Sequence, residues 1–254
     1  MRVVDTHCHL GHVDDDPRLA VAEALEAGVE LIVDIGMGIA ESDAAVQRAE
    51  RSDGSIKASV GLHPNDLDAF SDDAMSALAD LAVSDAVVAI GETGLDFYRD
   101  RSPRERQEAS FRAHVELAKA TGKTLVIHCR DAHDAVIDVL DDTGAPERVV
   151  MHCFSGDVAH ARACVERGFY CSFAGNVTYR TAEPLRDAAR TVPAELLLVE
   201  TDAPFLAPVP MRGKRNRPAF VVHTARALAE MLDIDANEFG ERTCVNARSA
   251  FAML

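Results

Sequence analysis

The stretch Val3-Val4-Asp5-Thr6-His7-Cys8-His9-Leu10 opens as a β-branched run and closes on two histidines one residue apart. Side chains of a strand alternate between its faces, so His7 and His9 point one way and Cys8 the other. Similar runs recur, beginning near Leu31, Ile56, Val87, Leu125, Val149, Phe169 and Leu196. Each is followed by a polar or glycine-containing turn and then by Ala, Leu and Val at helical spacing. The helical stretches include Pro17 to Ala27, Glu41 to Arg51, Pro103 to Thr121, Ala132 to Asp141 and Val158 to Arg167, with a final pair over Val221 to Leu232 and Ala236 to Ala252. Such alternation predicts parallel strands joined by crossover helices.

Eight of these units in 254 residues fit an α/β fold, a (β/α)8 TIM barrel, although a doubly wound open sheet has similar periodicity. No internal repeat beyond the unit, no low-complexity segment and no linker interrupts the chain, so one domain over residues 1–254 is expected. The longest connection, Ala203 to about Phe220, holds three prolines before Arg212 and then a basic cluster. Loops of that length in compact domains usually serve function.

Composition sets outer limits. Hydrophobic residues make up 48% and charged residues 27%, enough apolar surface for one substantial core. A net charge of -16, from 42 acidic against 26 basic residues, opposes wrapping of long nucleic acid over the whole surface. A polyanionic substrate must then be met locally. Met1-Arg2 runs directly into Val3-Val4-Asp5, with no room for an export signal, and runs such as Glu195-Leu196-Leu197-Leu198-Val199 are far too short to span a bilayer. The expectation is a cytoplasmic protein with no membrane association and no obligatory protein partner. Six cysteines without a C-x-x-C pair are expected to be reduced thiols. Aromatic content is 5%, and no stacking platform for single strands stands out.

The His7/His9 pair is by itself a weak signal, because ten histidines make one H-x-H by chance, and two partly buried histidines satisfied by backbone explain it equally well. Other ligand-type residues strengthen it. Glu92 closes the run Val87-Val88-Ala89-Ile90-Gly91, His128 closes Leu125-Val126-Ile127, His152 closes Val149-Val150-Met151, and Asp202 follows Leu198-Val199-Glu200-Thr201. In a barrel these strand ends converge on one rim, where active sites of this fold sit. Buried charges such as Glu92 and Asp202 are costly unless paired or metal-bound. Cys8, Cys129 and Cys153 each follow a candidate histidine, but strand alternation sends them toward the helices, where cysteine packs as a small hydrophobe. Imidazole plus carboxylate suits zinc, manganese or iron, and magnesium for hydrolysis. Gly36-Met37-Gly38 is completed by Glu41 rather than glycine, and neither a G-x-S-x-G elbow nor a P-loop is present.

The phrases Asp5-Thr6-His7-Cys8-His9-Leu10, Gly61-Leu62-His63-Pro64, Gly91-Glu92-Thr93-Gly94-Leu95-Asp96, His152-Cys153-Phe154-Ser155-Gly156 and Glu200-Thr201-Asp202-Ala203-Pro204 resemble those of the TatD family of metal-dependent DNases. The resemblance runs from Val4 to Ala250. It implies a TIM barrel, deoxyribonuclease activity from a 3′ end, and DNA ends or short single-stranded DNA as substrate. It also implies two divalent metal cations per subunit (Mg, Mn or Zn) bridged by Glu92, with His7, His9 and Asp202 on one and His128 and His152 on the other. Asp202 is then the expected general base, with Glu92 as the second catalytic carboxylate.

Substrate contacts are expected from His63, which either donates to a phosphate or supports the metal shell. Arg130 either holds a phosphate or pairs with Asp131 or Asp134. Lys214 and Arg215, in the basic run Met211 to Pro218, are placed to receive the DNA backbone. Many relatives read Arg-Asn-Glu-Pro where this chain has Arg217 in the glutamate's place. Two rival functions remain. An amidohydrolase or deacylase acting on C–N or ester bonds shares the strand positions, but many carry a modified lysine where this chain has Glu92. A metal-stabilised barrel that binds nucleic acid or protein without catalysis is the other, and its expected sign is an eroded ligand set.

Overall fold

The computed structural model describes residues 1–13, 16–99 and 101–253. Eight strands and nine helices alternate among the described residues: β1 (Val3–Cys8), α1 (Pro17–Ala27), β2 (Val29–Ile35), α2 (Ile39–Arg51), β3 (Ile56–Val60), α3 (Asp72–Leu81), β4 (Val87–Asp96), α4 (Arg104–Thr121), β5 (Thr124–Arg130), α5 (His133–Thr143), β6 (Val149–Met151), α6 (Val158–Glu166), β7 (Tyr170–Phe173), α7 (Glu183–Thr191), β8 (Leu197–Val199), α8 (Val221–Met231) and α9 (Ala236–Ala250). The strands pair in sequence order, every pair parallel.

The last strand returns to the first, which separates a barrel from an open sheet. Thr6 Oγ1 donates to Val199 O at 2.9 Å, Asp202 N to His7 O at 2.9 Å, and His9 N to Ala203 O at 2.9 Å. The fold is therefore the expected (β/α)8 barrel. α3 and α7 lie outside the helical stretches singled out from the sequence. Each buries only two residues, Ala74 and Leu78 in α3 and Ala188 and Ala189 in α7.

The core has two layers. Val4, Val33, Ile35, Val88, Val126, Val150 and Leu198 fill the barrel interior together with Cys244, Ala247 and Phe251 from the C-terminal segment. Thr124 Oγ1, at the start of β5, donates to Ala250 O at 2.5 Å, so α9 closes the amino end of the barrel. Burying a ring the size of Phe251 contributes about 2 kcal/mol. The larger layer lies between strands and helices and includes Cys8, Ile32, Ile90, Leu125, Ile127, Cys129 and Met151.

Two bulges decide which side chains reach the mouth. Val4 faces the interior, so unbroken alternation would also send Cys8 inward. Instead Asp5 to Cys8 on β1 spans only Ile32 to Asp34 on β2, one residue too many. That extra residue reverses the phase, placing Cys8 in the helix layer and His7 and His9 toward the mouth. The second bulge sits on β4, where Ile90 to Thr93 opposes Leu125 to Ile127. Gly91 there has φ 137°, and a Cβ would lie 2.3 Å from Val126 O, so only glycine allows the approach. This corrects one expectation: Glu92 does not close its strand, which runs on to Asp96. The bulge, not the strand end, aims Glu92 inward.

Candidate metal centre

His7, His9, Glu92, His128, His152 and Asp202 come together at the carboxyl end of the barrel, and His63, after β3, joins them. His7, His9, Glu92 and His152 are buried, whereas His63, His128 and Asp202 are partly open to solvent. Glu92 organises the group. Its Oε2 lies 3.3 Å from His7 Nε2 and 3.7 Å from His9 Nε2, and Asp202 Oδ1 lies 3.4 Å from His9 Nε2. Its Oε1 lies 2.7 Å from His128 Nδ1, 3.1 Å from His152 Nε2 and 3.4 Å from His63 Nε2. One carboxylate thus faces two adjoining sets of donors, one at each oxygen.

Three overlapping groups have donor atoms within 4.8 Å of one another: His7, His9 and Asp202; His7, Glu92 and His152; and His63, Glu92 and His128. His7 Nε2 and His9 Nε2 stand only 3.3 Å apart, and the His7 and His152 rings stack at 3.6 Å. Glu92 Oε2 is buried with no hydrogen-bond partner among the described residues. An orphaned buried carboxylate oxygen is expensive, and crowded imidazole nitrogens repel if protonated. A divalent cation would resolve both problems, and a set of imidazoles and carboxylates without thiolate suits zinc, manganese or magnesium.

Charge follows from the same geometry. Burial pushes the Glu92 carboxyl up, but His152, His63 and His128 outweigh it and hold the group well below the usual carboxylate range. Burial raises Asp202 in the same way, and the hydrogen bond from His9 and the charge of His152 bring it below its ordinary value. Burial and the neighbouring His152 hold the His7 imidazole below its ordinary value.

Outer carboxylates set the tautomers. Burial lowers the His152 imidazole, but Glu200, whose Oε1 accepts from Nδ1 at 2.9 Å, and Glu92 outweigh it and hold the ring well above its ordinary value; a bound cation would displace the Nε2 proton and leave Nδ1–H on Glu200. His128 Nε2 donates to Asp96 Oδ2 at 3.1 Å, which leaves Nδ1, 2.7 Å from Glu92 Oε1, as the nitrogen that would coordinate. His63 differs. Its Nδ1 accepts the Asn65 N–H at 3.0 Å, so the neutral ring carries its proton on Nε2, facing Glu92. Asn65 also donates to Asp96 Oδ2 at 2.6 Å, and Asp5 accepts from Thr201 N and Oγ1 at 2.8 and 2.6 Å beneath Asp202.

Asp96, Glu200, Asn65 and Asn216 were not singled out from the sequence. Asp96 and Glu200 belong to two of the family-like phrases, each two residues or four from a candidate ligand, and that adjacency was the available signal. Asn216 is fully buried and donates through Nδ2 to Thr201 O at 2.8 Å and Phe205 O at 2.6 Å, clamping the segment that carries Asp202. Its place in a basic run masked it.

Cys8 and Cys129 pack in the helix layer as expected. Cys153 does not: it follows β6 with φ 44°, is half-buried, and its N–H donates to Glu200 Oε1 at 3.0 Å. Strand alternation no longer governs a residue beyond the strand end. Burial, then the charges of Asp202, Glu200 and Glu92, push its thiol well above the ordinary value.

Arg130 lies over the Tyr98 ring, 3.9 Å from its centroid, and pairs with neither Asp131 nor Asp134 among the described residues. Lys214 and Arg215 are exposed; Lys214 Nζ lies 3.9 Å from Met211 Sδ, and the Arg215 guanidinium donates to His12 O. Arg217 pairs with Glu23 of α1 at 2.5 Å. Among the described residues, no helix is long and apolar enough to cross a membrane.

The model of the TatD-related DNase family matches residues 4–252. A Mycobacterium tuberculosis protein named as an uncharacterized metal-dependent hydrolase TatD is 44% identical, over 99% of this chain and 98% of its own length. The 3′-5′ ssDNA/RNA exonuclease TatD of Edwardsiella piscicida is 36% identical, covering 96% of each chain. Among solved structures, YjjV, a TatD homologue from Escherichia coli, superposes with a TM-score of 0.93 at 30% identity, covering 99% of this chain and 98% of that one.

Proposed function

The chain belongs to the TatD-related DNase family of metal-dependent hydrolases, and from that premise we propose that it cleaves phosphodiester bonds of DNA from the 3′ end at a binuclear divalent-metal centre. The observation that carries this reading is the division of Glu92, with Oε2 toward His7 and His9 and Oε1 toward His128 and His152. Under it, His7, His9, Asp202 and Glu92 hold one cation, and His128, His152 and Glu92 hold the other. Bound magnesium, manganese or zinc would supply Lewis acidity to a phosphate oxygen and make water a stronger acid.

The chain's own groups complete the reaction. Asp202, partly open to solvent and kept ionised by the histidines around it, takes the proton of the attacking water. His63 is better suited to donate than to coordinate, because the Asn65 N–H occupies Nδ1 and leaves the proton on Nε2. It therefore offers a hydrogen bond to a phosphate oxygen. Arg130, its guanidinium held over the Tyr98 ring at 3.9 Å from the centroid, adds a cation for a second phosphate oxygen. Lys214 and Arg215, exposed in the loop after β8, receive the strand further from the cut.

The test is release of mononucleotides from the 3′ end of a labelled strand with added magnesium, manganese or zinc and a chelator control. Turnover that needs metal and is lost in a metal-loaded Asp202→Asn variant is expected. Surviving nuclease activity in that variant would defeat the general-base assignment. Faster turnover of a phosphate-free ester or amide than of DNA would transfer the site to deacylase or amidohydrolase chemistry.

A further inference from the structure

Of ten phenylalanines and three tyrosines, Tyr98 and Phe205 alone are exposed among the described residues, at 63% and 55%. Both stand on the rim that carries the metal-ligand candidates. Tyr98 follows β4 and Phe205 follows β8, four strands apart in an eight-stranded barrel, so they flank the pocket on opposite sides. Leaving large rings in water forfeits the gain from apolar burial, and placing both at one mouth asks for a ligand.

Neither residue is loosely held. The Tyr98 N–H donates to Asp96 Oδ1 at 3.1 Å, and the other oxygen of that carboxylate holds His128. The Phe205 N–H donates to Asp202 O at 2.8 Å, and its carbonyl accepts from buried Asn216 at 2.6 Å. Each ring is thus pinned through its backbone to the metal pocket on its own side. Arg130 covers one face of Tyr98 and leaves the other to solvent, while the Phe205 ring stands 6.3 Å from that of His9, edge to face.

Resting on the phosphodiesterase reading, we propose that Tyr98 and Phe205 are stacking platforms for the unpaired nucleobases on either side of the scissile phosphate. Every base has a π face, so such platforms accept any sequence, but only when the base is out of a duplex. Arg130 adds a cation–π contribution on the Tyr98 side and remains able to reach the phosphate. Selection of a single-stranded end then arises at two fixed rings, which reconciles an acidic, aromatic-poor chain with a nucleic-acid substrate. No such platform stands out in the sequence because composition only counts aromatics, whereas the fold brings two exposed ones to one mouth.

The experiment measures binding to the metal-loaded protein by anisotropy, using a 5′-fluorescein oligothymidylate with phosphorothioate linkages. A matched strand is made abasic at one or other nucleotide flanking the 3′-terminal linkage. Wild type, and Val245→Ala as an exposed apolar control on α9, should bind the intact strand about 5- to 100-fold more tightly than the abasic ones. Tyr98→Ala should bring that ratio close to one at one abasic position and Phe205→Ala at the other, with Tyr98→Phe and Phe205→Tyr restoring it. An alanine variant that weakens intact and abasic strands alike has lost only structure and overturns the assignment. So does a wild-type ratio of one, and if the ordinary phosphodiester strand is still digested then the nuclease reading survives alone. The reverse pattern, base-dependent binding without hydrolysis, supports the platforms and defeats the nuclease reading.

Discussion

Replacing His114 with glutamine should flatten the acid side of the stability profile. His114 is fully buried on α4, where its Nδ1–H donates to Ser110 O at 2.7 Å and its Nε2 accepts the Leu62 N–H at 3.0 Å. That pair of bonds requires the neutral ring. Burial lowers its pKa from 6.5 to about 4, against the opposing hydrogen bond to Ser110. The folded value lies below the unfolded one, so between them the unfolded chain binds more proton. Stability is therefore complete above the unfolded value and is lost as pH falls toward the folded one. With each tenfold in proton affinity worth about 1.4 kcal/mol, the full linkage is about 3 kcal/mol, of which about 2 kcal/mol falls between pH 7 and pH 5. His114→Gln keeps an acceptor for Leu62 but has no proton to bind. Urea unfolding of both proteins at pH 7 and pH 5, with chelator present in every sample, isolates the difference. Wild type should lose about 2 kcal/mol more than the variant over that interval. Equal losses would refute the account. Leu62 precedes His63, so the same buried ring also steadies a residue at the proposed phosphate site.

Glu200→Gln removes the charge that holds the His152 Nδ1–H and should weaken divalent-metal affinity about 10- to 100-fold. Competition against a chromogenic chelator measures it, and unchanged affinity in a folded variant contradicts the orienting role. Asn216→Ala strips donors from Thr201 O and Phe205 O and should cost roughly 2 to 4 kcal/mol in urea unfolding, since buried acceptors are left unpaired. A loss within experimental error would show that the loop carrying Asp202 is held by other bonds.

The strand starts and most helices were legible because period carries through unchanged. Apolar residues at spacing 2 or 3.6 must face a core whatever the final topology. α3 and α7 went unread although Leu185, Ala188 and Ala189 follow the same i, i+3, i+4 spacing. Ligand candidates were legible as residue types at strand ends, and the family-like phrases around His7, Glu92, His152 and Asp202 made their grouping expected before any distance was known.

From the amino-acid order alone came the eight-fold alternation, the list of imidazoles and carboxylates, and the family resemblance, since these depend on local periodicity and on residue identity. Ring closure belonged to the tertiary structure, because an open sheet shares the same period and bonds such as those of Thr6, His7 and His9 to β8 and the segment after it distinguish the two. So did the phase of His7 and Glu92, reversed by single-residue bulges that strict alternation does not predict. The tautomer of each histidine, the clamp at Asn216 and the two opposed rings of Tyr98 and Phe205 arise from contacts between segments far apart in the chain. Pattern reports which face a side chain takes; what that side chain meets there depends on how distant strands are brought together.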